Sequence, residues 1–83
     1  MNATLREKIE QIVKDAIKSR MVDEGIYDVV NLSFNDMVFD FESDIGGMRD
    51  YDAIKCKRIA EYEFFKIIGA LRNAARIIDG AFE

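Results

Sequence analysis

Apolar and polar positions follow two different periods along this 83-residue chain, and each period predicts one kind of element. In residues 4–22 the apolar side chains recur every three to four positions, which is the spacing of one helix face. Thr4 and Glu7 have the spacing of a capping box, and Gly25 is placed to end a helix in a left-handed conformation. We therefore predict a first amphipathic helix over residues 4–22.

From Val29 to Glu42 the period changes to two, on either side of the dipeptide Asn35-Asp36. Asparagine and aspartate both tolerate positive φ and are common in tight hairpin loops. With these two residues as the loop, one side of the ribbon is entirely apolar. Its facing pairs are Phe34 with Met37, Leu32 with Phe39, and Val30 with Phe41. The pattern predicts a two-stranded antiparallel hairpin over residues 28–42, followed by an acidic, glycine-containing loop over 43–50.

Helical spacing returns after that loop and predicts a second, longer helix over residues 50–79. Its apolar side chains cover about half of the circumference, so this helix can pack against more than one element. Glu63 falls inside the apolar arc, where an ionised carboxylate needs a counter-charge such as Lys66 or Lys14. The expected fold is a small single α+β domain of order α-β-β-α, with the hairpin packed on two helices.

The opposite arc of the second helix carries six residues that we name the arginine–aromatic stripe: Arg58, Tyr62, Phe65, Gly69, Arg72 and Arg76. Aromatic and arginine side chains are enriched at the energetic centres of protein interfaces, and a glycine lets another backbone come close. We expect a homodimer contact or a partner helix on this stripe. The alternative is that Tyr62 and Phe65 cover the first helix or a loop, with the arginines extending around them.

Charge is sorted along the chain, which has a net charge of −4 from 16 acidic and 12 basic residues. Residues 21–54 hold nine carboxylates against one base, Arg49. Six of these acids are candidates for binding a basic partner: Asp36, Asp40, Glu42, Asp44, Asp50 and Asp52. Such a surface can imitate the phosphates of a nucleic acid, and it would repel nucleic acid itself. The alternative is a solvated surface that favours solubility.

The sequence offers little catalytic or metal-binding chemistry. It contains no histidine and a single cysteine, Cys56, which lies on the apolar arc of the second helix and is expected in the core. Asp40, Glu42 and Asp44 have the spacing of a calcium loop, but its glycine and bidentate glutamate are missing. We expect no enzyme activity, no metal and no cofactor. Without an apolar run long enough to span a membrane, and without a disulfide, the expected location is cytoplasmic.

These observations favour a small acidic, non-catalytic protein-binding module that modulates or inhibits a larger partner with a basic surface. Small regulators, including phage-encoded inhibitors, have compositions of this kind. Residues 21–54, which we call the acidic segment, are where a nucleic-acid mimic would carry its charge. Two alternatives stay open. One is a homo-oligomeric structural or regulatory protein built on the stripe and the ribbon edge. The other is a small-molecule or nucleotide binder at a dimer interface, where Arg58, Arg72 and Arg76 take an anion.

Overall fold

The computed structural model describes residues 4–39, 41 and 53–81, and this part of the chain is mostly helical. Its elements are helix α1 (Leu5–Glu24), the short helix α2 (Ile26–Val29), a 3-10 turn (Phe34–Asp36) and helix α3 (Ala53–Ala81). No strand occurs among the described residues. The predicted α+β class is therefore wrong, and the protein is a small, mostly helical domain.

Local sequence signals set both ends of α1. The Glu7 backbone N–H donates to Thr4 Oγ1 at 3.2 Å, as the spacing of these two residues predicted. At the other end Gly25 has φ 89° and ψ 164°, a region that is essentially restricted to glycine. Its N–H donates to the Met21 carbonyl at 2.9 Å. The helix predicted over residues 4–22 thus ends at Glu24, and its buried face consists of Ile9, Val13 and Ile17.

Helices α1 and α3 pack side by side with their N-terminal ends at the same end of the molecule. Arg6, in the first turn of α1, lies 3.6 Å from the carboxylate of Glu63. Tyr27, which follows α1, donates its hydroxyl proton to Asp79 near the end of α3 at 2.9 Å. Because the two helices run parallel, the chain that leaves α1 has to travel back along the pair before α3 begins.

Residues 30–39 form the first part of this return, and we call them the return segment. At its start the Val30 carbonyl accepts a hydrogen bond from Arg72 at 2.9 Å. Further along, the Phe34 ring meets the Phe64 ring edge-on, with centroids 5.6 Å apart. Since later residues of the return segment contact earlier residues of α3, the segment runs antiparallel to α3.

The hairpin predicted over residues 28–42 is wrong, because the chain does not reverse at Asn35-Asp36. The Ser33 N–H and hydroxyl both donate to Asp36 Oδ2, at 2.8 and 3.0 Å, and close a 3-10 turn. The apolar positions are directed at the helices rather than at a second strand. Those packed in or against the core are Leu32, Phe34, Met37, Phe39 and Phe41. On either side of the 3-10 turn the chain is extended, and an extended chain crossing a helical surface needs the same alternation as a strand.

The core lies where α1, α3 and the return segment meet. Its most buried large side chains are Phe64, Ile9, Ile68, Glu63, Val13, Val29 and Cys56. The apolar arc predicted on the second helix is covered only as far as Ala75, which is 6% exposed. Beyond it Ile77 is 73% exposed and Ile78 is 41% exposed, so the predicted arc is too long at this end. In the described part of the chain, the last turns of α3 therefore extend beyond the core.

Helix α3 has 29 residues and spans about 43 Å, which exceeds the thickness of a bilayer's hydrocarbon core. Polar and charged residues on its outer face nevertheless recur along the helix, so no long stretch of its sequence is continuously apolar. None of the described helices combines the length and the apolar character needed to cross a membrane.

Candidate functional site

The arginine–aromatic stripe lies on the face of α3 that points away from the core, and all six of its residues are exposed. Tyr62 is 59% exposed and Phe65 is 55% exposed. The described part of α1 and the return segment leave both rings more than half exposed, although Tyr62 also contacts Arg6 at the start of α1. The stripe is therefore a surface on which two aromatic side chains stand next to each other, one helical turn apart.

Tyr62 contacts a charged cluster that reaches into the core. The Arg6 guanidinium carbon lies 5.5 Å from the centre of the Tyr62 ring, within cation–π range. Arg6 also approaches Glu63 at 3.6 Å, and Lys66 approaches the other carboxylate oxygen at 3.7 Å. The Glu63 side chain is only 2% exposed, whereas those of Arg6 and Lys66 are more than half exposed. The buried carboxylate thus orients Arg6, and Arg6 orients the tyrosine.

Phe65 is supported from below by the core. Its ring meets the ring of Phe64 in a T-shaped contact, with centroids 5.6 Å apart and planes at 74°. Phe64 is fully buried, so it is fixed by close packing. Phe65 consequently has a rigid base and a free outer surface, which lowers the entropy cost of binding something on it.

The three arginines of the stripe differ in how they are anchored. Arg72 donates from Nε to the Val30 carbonyl at 2.9 Å, and Val30 is the C-terminal cap of α2. A cation at a helix C-terminus is favourable, and the bond also fixes the guanidinium on the stripe. Within the described residues Arg58 and Arg76 form no ion pair. They are available for an external acceptor.

Arg58 also lines an open cleft of about 690 Å³ between the first turn of α1 and the start of α3. The cleft has three cationic side chains, Arg6, Lys55 and Arg58, and its apolar wall includes Leu5 and Ile59. Arg58 and Tyr62 belong both to the lining of this cleft and to the stripe. No carboxylate is among the described residues that line it. Its charged lining residues are therefore all cationic, although the carboxylate of Glu63, 3.6 Å from Arg6, offsets part of this charge.

A second groove, of about 720 Å³, lies between α1 and the return segment. Its charged lining residues, Lys8 and Asp15, have opposite signs and cancel each other. Its apolar wall includes Ile12 and Phe39, which also pack against the core. The groove therefore has no one-signed charge that would select a ligand.

Of the six predicted partner-binding acids, the structure describes one, Asp36. Hydrogen bonds from the Ser33 backbone N–H and hydroxyl lower the pKa of Asp36. The carboxylate stays charged and caps its own turn, which is a local structural role. The other five candidates lie outside the described residues: Asp40, Glu42, Asp44, Asp50 and Asp52.

Two features of this surface were missed from the sequence. One is Arg6, which reads as one of several charged residues on the polar face of α1. The other is the Tyr27–Asp79 hydrogen bond, which joins residues 52 positions apart and raises the pKa of the Tyr27 hydroxyl. Both contacts depend on how α1 lies against α3. No periodicity within one segment could have indicated them.

Comparison with known proteins adds no relative: no protein-family model, no curated protein and no solved structure matches the chain. Its function is therefore inferred from its own residues.

Proposed function

We propose that the chain is a non-catalytic protein-binding module that modulates or inhibits a larger partner, and that it binds through the arginine–aromatic stripe. The observation that carries this proposal is the exposure of Tyr62 and Phe65, at 59% and 55%, side by side on the outer face of α3. Single exposed apolar residues are ordinary, but two adjacent aromatics flanked by arginines form the kind of patch found at interface centres.

The rigidity of the patch supports this function. Arg6 and Phe64 hold the two aromatic rings, and the Val30 carbonyl holds Arg72. Folding has already ordered these side chains, so less conformational entropy is lost when a partner binds. A surface that is both anchored and exposed is better suited to recognition than flexible side chains on a solvated helix.

The acidic segment adds long-range attraction to this short-range patch. Residues 21–54 carry nine carboxylates and one arginine, and such an excess attracts a basic partner over several ångströms. The effect depends on the net charge of the segment more than on each side chain's position. We expect it to increase the association rate and to weaken with salt, because the screening length falls from about 10 Å at 0.1 M to about 3 Å at 1 M.

A non-catalytic role is supported by the state of Cys56, the chain's single cysteine. Its thiol is fully buried and free, and a buried thiol in apolar surroundings is unreactive. A chain with one unpaired thiol is also suited to a reducing compartment, so we propose the cytoplasm as its location.

Site-specific photo-crosslinking tests this function. A photoreactive phenylalanine analogue at Phe65 is compared with the same analogue at Lys18, an exposed position on α1. In a lysate of the native host, we expect the probe at position 65 to capture a protein that the probe at position 18 does not. The capture should be lost when Tyr62→Ala is added. Identical captures from both positions would show that the stripe is not the binding surface.

The cationic cleft favours a second candidate function, the binding of an anionic small molecule. Arg6, Lys55 and Arg58 line it, and guanidinium groups bind phosphates and carboxylates in a bidentate manner. The probes are inorganic phosphate and a panel of nucleotides, with calorimetry as the readout. Binding that is abolished by Arg58→Gln and retained by Arg76→Gln would establish this function, because Arg76 does not line the cleft. Absence of binding by every probe would exclude it for these ligands.

A further inference from the structure

We propose that a second copy of this chain covers the arginine–aromatic stripe, with the two α3 helices packed antiparallel in one defined register. In this register Phe65 lies opposite Gly69 of the second copy, Tyr62 opposite Arg72, and Arg58 opposite Arg76. The inference rests on the proposed function, since it uses the same binding surface: the second copy covers the stripe while the larger partner is absent and leaves it when that partner binds.

The spacing of the stripe is that of a seam between two helices. Its six positions are separated by steps of four, three, four, three and four residues. Alternation of three and four keeps side chains in line when two helices cross at about 20°. The series of steps also reads the same in both directions. An antiparallel pair related by a twofold axis requires this, because each residue then meets its mirror position in the second copy.

Nothing within the described protomer explains the glycine at position 69. It lies inside a long helix, where glycine is less favourable than alanine by about 0.5–1 kcal/mol. A β-carbon built on it would meet no atom within 4 Å, and its φ is not positive. Nothing in the described protomer therefore requires a glycine. In the antiparallel register the Phe65 ring of the second copy fills this space, and the missing β-carbon lets the helices approach.

The neighbouring pair joins a tyrosine with an arginine. Tyr62 has Arg6 at its ring and remains more than half exposed. Arg72 is already fixed by its bond to the Val30 carbonyl. Antiparallel pairing brings this ordered guanidinium to the exposed tyrosine of the second copy, where cation–π attraction stabilises the contact.

Charge favours the antiparallel pairing over the parallel one. Parallel pairing in register would set Arg58, Arg72 and Arg76 each against its own counterpart. Among the stripe residues, antiparallel pairing keeps a like-charged contact only at the two ends, between Arg58 and Arg76. One turn further out it places Lys55 opposite Asp79 of the second copy, which is an attractive pair. The Arg6 guanidinium at the Tyr62 ring has Glu63 as its counter-ion, which offsets its repulsion of Arg72 from the second copy.

The first arm of the test measures the molecular mass and the dimer dissociation constant by analytical ultracentrifugation. Gly69→Ala is compared with Gly80→Ala, which is also helical and open but lies outside the register. We expect the natural chain to be a dimer and Gly69→Ala to raise the dissociation constant about tenfold or more, because the added methyl group meets Phe65. Gly80→Ala should leave it unchanged. A natural chain that stays monomeric, or equal effects of both substitutions, would overturn the inference.

The second arm tests the register by oxidative cross-linking. Cys56 is buried, so a cysteine introduced on the stripe is the accessible thiol. A mixture of Phe65→Cys and Gly69→Cys chains should form a covalent heterodimer, whereas Phe65→Cys alone should not cross-link. Cross-linking of Phe65→Cys to itself would indicate a parallel pair and contradict the register. If the chain is monomeric while the photoreactive probe at position 65 captures another protein, the inference fails and the proposed function stands.

Discussion

Two adjacent phenylalanines give the sharpest test of how α3 is oriented. Phe64 is fully buried in the core, and Phe65 is 55% exposed on the stripe. Both stand in the same helix and undergo the same chemical change when they are replaced by alanine. Any large difference between Phe64→Ala and Phe65→Ala therefore reports on burial alone.

The expected magnitudes differ severalfold. Removing a fully buried phenylalanine costs about 3–5 kcal/mol, because apolar burial is lost and a cavity is left. Phe65 buries less than half of its surface, which is worth about 1 kcal/mol, and the higher helix propensity of alanine offsets about 0.5 kcal/mol of that. A chain of 83 residues has a free energy of unfolding of about 4–12 kcal/mol. Phe64→Ala thus removes a large share of it, and Phe65→Ala very little.

Urea denaturation followed by circular dichroism measures both variants. The experiment is repeated at two protein concentrations, because stability that depends on dimer formation changes with concentration. Phe64→Leu keeps most of the apolar volume and provides a milder change if Phe64→Ala does not fold. Equal losses at positions 64 and 65, measured where the protein is monomeric, would refute the assignment of core and outer faces on α3.

Three further predictions concern single positions. Gly25→Ala should lower the free energy of unfolding by about 1–3 kcal/mol, because φ 89° with ψ 164° is strained for any residue with a β-carbon. An unchanged urea midpoint would contradict this backbone conformation. Glu63→Met should leave the free energy of unfolding unchanged or raise it by about 1–4 kcal/mol, because it removes a buried charge while Arg6 stays exposed to water. A marked loss of stability in urea denaturation would show instead that the ion pairs stabilise the fold. The Tyr27–Asp79 hydrogen bond raises the pKa of Tyr27, so its contribution is complete below the unfolded value of about 10 and is lost as pH rises through the folded value. Tyr27→Phe should remove this part of the alkaline pH dependence, and identical stability profiles for both proteins would argue against the bond.

Signals that act within a few residues were readable from the sequence. The Thr4 hydroxyl and the positive φ of Gly25 act within one helical turn, and the structure has both. The position of Glu63 in the apolar arc follows from the 100° rotation per residue, and the side chain is buried. The inward positions from Leu32 to Phe41 were also readable, because alternation shows which side chains face an apolar surface. At the start of the segment the alternation was misleading: Val30 was predicted on the apolar side, but Val29 is the residue buried in the core.

The sequence did not show whether that apolar surface belongs to a strand or to helices. A period of two indicates an extended chain with one buried side, and this side can rest on a strand or on a pair of helices. At Asn35-Asp36 the competing possibilities were a hairpin loop and a helical turn, and the carboxylate of Asp36 stabilises the turn by bonding to Ser33. The hairpin and the ribbon edge were expected because pairing between strands was assumed where helices provide the contact.

For the candidate site, the sequence alone grouped the six residues of the stripe, since their grouping needs only the geometry of one helix. Tertiary structure decided that this face is the open one, and it added the contacts that anchor it. Arg6 reaches Tyr62 from α1, and Val30 reaches Arg72 from the end of α2. Local hydrogen bonds and helical periodicity depend on neighbours along the chain, so the sequence determines them directly. Packing between distant segments depends on the parallel course of α1 and α3, which only the folded chain establishes.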